Sequence, residues 1–78
     1  MNIVVREYID QRKDLLGIPW QVLWRVDLGQ HAQHRFVHWK VTDEPPRADC
    51  RDEAIAAFKR VRLLRRCRVP LTFEFVRP

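Results

Sequence analysis

Ile3-Val4-Val5-Arg6-Glu7-Tyr8-Ile9-Asp10-Gln11-Arg12-Lys13-Asp14-Leu15-Leu16 is the stretch whose reading decides the fold. At 100° per residue, Val4, Leu15, Tyr8, Val5, Leu16 and Ile9 fall in one arc, and Arg6, Asp10, Lys13, Asp14, Glu7 and Gln11 fall in the opposite one. Asn2 can cap the start, Gly17 suits a left-handed position after the end, and Pro19 blocks continuation, so the pattern predicts a helix over residues 3–16. The β-branched run Ile3-Val4-Val5 supports a competing reading, a strand followed by a shorter helix from Asp10 to Leu16.

Outward from that stretch the pattern changes period. Trp20, Val22, Trp24, Val26 and Leu28 share one face of a predicted strand, with Gln21, Arg25 and Asp27 on the other. A turn around Gly29-Gln30-His31-Ala32-Gln33 leads to a second strand, in which Val37, Trp39 and Val41 alternate with Phe36, His38 and Lys40, and the two make a hairpin. Pro45-Pro46 ends it. A second helix is predicted from a cap at Asp49, with buried stripe Ala54, Ala57, Phe58, Val61 and Leu64, running until Pro70. A last strand alternates Leu71, Phe73 and Phe75 against Thr72, Glu74 and Val76.

Residues 1–78 therefore read as a single α+β domain: a small antiparallel sheet, made of the hairpin and the C-terminal strand, with two helices packed on one face. The element order is α-β-β-α-β, or ferredoxin-like β-α-β-β-α-β if the N-terminal run is a strand. Charges arrive too early for a secretory signal and no apolar run approaches a membrane span, so the expected compartment is the cytoplasm and no membrane partner is expected. Cys50 and Cys67, near opposite ends of the second predicted helix, would lie roughly 25 Å apart at 1.5 Å per residue, too far to bridge.

Catalytic chemistry is hard to assemble from these residues. The chain has no serine, and its only glycines are Gly17 and Gly29, which excludes a serine triad, a phosphate loop and a dinucleotide-binding turn. Neither cysteine has a histidine adjacent in sequence, and the acidic pairs Asp43-Glu44 and Asp52-Glu53 sit before a double proline and in a first helical turn. His34 and His38 on one strand stand roughly 13 Å apart, too far to share an ion. The expectation is a non-enzyme without catalytic residues, metal or cofactor.

The net charge of +5 is unevenly spread. Residues 1–46 hold six basic and six acidic side chains, whereas residues 47–78 hold nine and four, so the whole excess lies in the second part. Lys59-Arg60-Val61-Arg62-Leu63-Leu64-Arg65-Arg66-Cys67-Arg68 carries six cations in ten residues. On an unbroken helix Lys59, Arg62 and Arg66 share one stripe flanked by Arg51, and such a stripe can lie along a phosphate backbone; macrodipole complementation needs one or two cations, not six. A second candidate surface is the outer sheet face, where Arg25, Phe36, His38 and Lys40 would interleave aromatic and basic groups.

The order of helix, strands and basic helix is similar to that of double-stranded-RNA-binding domains, but the glycine-proline loop and lysine cluster of that family are missing and a strand follows the basic helix. Size, charge and the lack of catalytic groups resemble small phage-encoded proteins that block host machinery, anti-CRISPR proteins among them. Two functions follow as expectations. The first is a basic binding domain whose arginine-rich helix engages nucleic acid or a nucleoprotein. The second is a protein-binding inhibitor or adaptor docking on an acidic protein surface. A homodimer is compatible with either.

Overall fold

The computed structural model describes residues 1–10, 19–29 and 34–78. The N-terminal stretch is a strand, β1 (Asn2–Asp10), followed by β2 (Trp20–Asp27), β3 (Arg35–Thr42), helix α1 (Ala48–Lys59), the single turn α2 (Arg62–Arg65) and β4 (Thr72–Val76). The α+β class, with helices on one face of a four-stranded sheet, agrees with the sequence reading. The order does not: among the described residues it is β-β-β-α-α-β, which starts on a strand and not a helix, and β1 and β2 are antiparallel neighbours, unlike the crossover-linked strands of a ferredoxin-like fold. The alternative helix from Asp10 to Leu16 falls, beyond Asp10 itself, outside the described residues, as does most of the turn at residues 30–33.

Over residues 3–10, the described part of the helical reading of 3–16, that reading fails on one residue. Ile3, Val5, Glu7 and Ile9 alternate on the helix-covered face of β1, and the first three are buried, Glu7 to 4% exposure. A sequence in which Glu7 must face water favours the helix; a strand requires a carboxylate under the helices. The protein takes the strand because partners distant in sequence meet that carboxylate. Arg51 of α1 binds it through two hydrogen bonds, Nε to Oε2 at 2.9 Å and Nη2 to Oε1 at 2.8 Å. Trp24 of β2 donates its indole N–H to Oε2 at 2.9 Å, and Arg77 beyond β4 reaches Oε1 at 3.4 Å.

The sheet order is β3-β2-β1-β4. The hairpin forms as expected, with β2 antiparallel to β3 and Trp24 opposite His38. β1 also runs antiparallel to β2, whereas β4 pairs parallel with β1, Val5 opposite Phe75. The sheet is therefore mixed, and the last strand adds to the N-terminal strand instead of to the hairpin. Asn2 fastens this edge, bonding the Thr72 hydroxyl and Glu74.

Ile3, Val5, Val22, Trp24 and Val26 from the sheet meet Cys50, Ala54, Phe58 and Leu64 from the helices, with Phe73 and Phe75 alongside. Full burial of an aliphatic or aromatic side chain contributes about 1.5–3 kcal/mol, so this set supplies most of the driving force. The single helix expected from Asp49 towards Pro70 is broken. Arg47 stands at the start of α1 and Asp49 lies in its first turn; Val61 is extended at φ −64°, ψ 129°. An unbroken helix would stack Lys59 on Arg62, like charges that cost about 0.2–0.5 kcal/mol per pair, around a β-branched valine. With the break, Leu64 remains buried and Val61 still packs on the core.

The hydrogen bonds from Arg51, opposed by burial and helped by Trp24 and the positive charge of Arg51, hold the Glu7 carboxyl down from 4.5 to about 2. A folded-state value below the unfolded one contributes stability that is present above 4.5 and is lost as pH falls towards about 2, here about 3 kcal/mol. We therefore expect the melting temperature to be level above that range and to fall across it. Glu7→Gln should be less stable at neutral pH and should lose much of this acid-dependent slope, as checked by thermal unfolding against pH.

Candidate functional site

The second half of the chain carries the excess charge, and the structure divides those cations into two kinds. Arg47, Arg51 and Arg77 surround a cleft of about 210 Å³ together with Glu7, Trp24 and the start of α1. Each is engaged: Arg51 and Arg77 by Glu7, and Arg47 by Glu44 at 3.1 Å. Arg51 also lies over the Phe75 ring at 4.9 Å, and its bond to Glu7 raises its own pKa. Arg51, expected to flank the basic stripe, is instead an internal tie between α1 and β1.

The other kind lies at the α1–α2 junction and the segment that leads into β4. Lys59, Arg60, Arg62, Arg65, Arg66 and Arg68 are all exposed, and among the described residues no carboxylate pairs with any of them. The break at Val61 ends the single stripe of Lys59, Arg62 and Arg66 inferred from helical spacing. What α2 brings together is Arg62, Arg65 and Arg66, lining one shallow concavity of about 300 Å³. Arg65, which an unbroken helix would lay in the apolar arc, is exposed and joins the cluster. Leu64 between them is buried and anchors the turn to the core, so the three guanidinium groups project from a fixed base.

The sheet-face surface needs a larger correction. Of Arg25, Phe36, His38 and Lys40, only Arg25 is on the open face, 5.7 Å above the Tyr8 ring and 3.1 Å from Asp27. Phe36, His38 and Lys40 lie opposite Val26, Trp24 and Val22 and so share the helix-covered face. His38 stacks on Trp24 with ring centroids 5.8 Å apart. Lys40 binds both oxygens of Glu53 at 2.7 and 2.8 Å, which fastens β3 to α1 and raises the Lys40 pKa. In their place Val37, Trp39 and Val41 stand on the open face, Trp39 at 58% exposure. The covalent alternation of β3 is as expected; its register with β2 turns the apolar set outward.

Cys50 is buried and Cys67 half-buried, both as free thiols, with Cys67 past the end of α2 and not in the same helix as Cys50. Among the described residues no three His, Cys, Asp or Glu side chains come together, and no helix is long and apolar enough to cross a membrane. His31 lies outside the described residues. Comparison with protein-family models, with curated proteins and with solved structures finds no significant match to the chain.

The two kinds of cation differ in a measurable way. Arg51→Ala leaves the buried Glu7 with Trp24 and Arg77 alone and should cost about 3 kcal/mol of folding stability. Replacing Arg62, Arg65 and Arg66 together by Glu removes no described bond and relieves like-charge repulsion, so stability should stay within about 0.5 kcal/mol of the parent. Urea unfolding of the two variants checks both statements.

Proposed function

We propose that this chain is a non-enzymatic domain that binds a polyanion, a nucleic acid backbone, through Arg62, Arg65 and Arg66, with Lys59, Arg60 and Arg68 around them. One observation supports this above the rest: six exposed cations within ten residues have no acidic partner among the described residues, although five other arginines of the chain, Arg25, Arg35, Arg47, Arg51 and Arg77, have one. Uncompensated like charge at this density opposes folding. A polyanion relieves it, and guanidinium forks match phosphate oxygens in pairs. Without interleaved aromatic groups at the cluster, binding should read charge and shape more than base sequence.

Two free cysteines, one of them buried, fit a reducing compartment such as the cytoplasm. An inhibitor or adaptor that meets an acidic protein surface would use the same cations. Titration with duplex DNA and with single strands at several salt concentrations separates the readings. Three phosphate contacts give a log–log slope near about −2.7 on duplex and about −2 on single strands. The triple Glu variant should lose binding with its circular dichroism unchanged. No binding at low salt, or normal binding by the triple variant, would sink the reading; loss of a nuclease-resistant protein partner in that variant would transfer the cluster to the inhibitor class.

A further inference from the structure

The free edge of β3 combines three features that natural sheets usually avoid on an edge strand: length, a lack of proline and an apolar outer face. It runs eight residues, Arg35-Phe36-Val37-His38-Trp39-Lys40-Val41-Thr42, without proline. Val37, Trp39 and Val41 are 52%, 58% and 45% exposed on the face away from the helices. The one lysine of the strand, the usual guard of such an edge, lies on the covered face and is held by Glu53.

The phase of the ladder shows which backbone groups have no partner among the described residues. Leu28 donates its N–H to the His34 carbonyl at 3.0 Å, in the same register that sets Asp27 opposite Arg35. Bonded pairs in an antiparallel ladder recur every second residue, so Phe36, His38, Lys40 and Thr42 turn their backbone groups to β2. Arg35, Val37, Trp39 and Val41 turn theirs to the free edge. The residues with exposed apolar side chains are thus the same ones that offer N–H and C=O groups.

We propose that this edge pairs with the β3 edge of a second copy of the chain, antiparallel, with the two-fold axis at Trp39. In that register Trp39 faces its own counterpart, Val37 faces Val41, and Arg35 faces Asp43, the residue after the strand, at both ends. The pattern is self-complementary in charge as well as in apolar character, as an isologous interface requires. Shifting the register by one bonded step loses this. One direction sets Val37 against Asp43; the other sets Arg35 against Val41. On the covered face Phe36 meets Thr42 and His38 meets Lys40, whose charge is matched by Glu53. Arg35, already bonded to Asp27 at 2.8 Å, would then lie between two carboxylates. The result is one continuous eight-stranded sheet, and the partner is another molecule of this chain.

Sedimentation equilibrium over a range of concentrations tests the proposal. The parent chain should reversibly dimerise. Trp39→Glu, which sets like charges against each other on the axis at an exposed site, should be monomeric with unchanged circular dichroism. Asp43→Arg, which sets like charges against Arg35 at both ends, should weaken the dimer by roughly tenfold, whereas Asp43→Glu, which keeps the charge, should leave it as in the parent. A monomeric parent, a Trp39→Glu dimer, an Asp43→Arg dimer as tight as the parent, or association running on past the dimer would each overturn it. None of these outcomes touches Arg62, Arg65 or Arg66, so polyanion binding stands or falls separately.

Discussion

The buried carboxylate of Glu7 is the constraint on which the rest of the arrangement depends. It sits on the covered face of β1, bonded by Trp24 from β2, Arg51 from α1 and Arg77 beyond β4. Four segments remote in the sequence therefore meet at two oxygen atoms. A buried ion pair of this kind is weak in net stability compared with a well-packed apolar substitute, but breaking it by removing one partner is costly. Its effect is to specify. A β1 shifted by one residue against β2 would put Glu7 in water and Arg6 under the helices.

That same residue explains why the N-terminal element was not legible from its own sequence. Local pattern can count faces but cannot know that an arginine 44 residues away will be present to receive a carboxylate. The β-branched run Ile3-Val4-Val5 was the surviving local signal. β2 and the hairpin were legible because Trp20, Val22, Trp24 and Val26 alternate without exception on one face, and the core positions Ala54, Phe58 and Leu64 were legible from helical spacing. The faces of β3 were not. Its composition favours burying Val37, Trp39 and Val41, yet the register with β2 turns their half-buried neighbours Phe36, His38 and Lys40 to the helices, and a strand has only two faces to exchange.

The candidate site was legible as a charge run and not as a geometry. Six cations in ten residues can be read by eye, but an ideal helix groups Lys59, Arg62 and Arg66, whereas the break at Val61 groups Arg62, Arg65 and Arg66. Arg51 flanks that stripe by helical spacing but is tied to the buried Glu7 by contact. The discriminating property, an acidic partner within reach, is tertiary. Sequences consistent at every level tend to break local rules where function demands it. Here two local rules are broken, one by uncompensated cations and one by an unguarded apolar edge.

The two departures have a joint consequence if both surfaces are occupied. Paired through β3, the strands would run β4-β1-β2-β3 and back outward in the second copy, and each copy would carry one cluster of Arg62, Arg65 and Arg66. The two clusters would act as two contacts on one polyanion held together by the paired sheets, so that dimerisation raises avidity without adding a bond to either site.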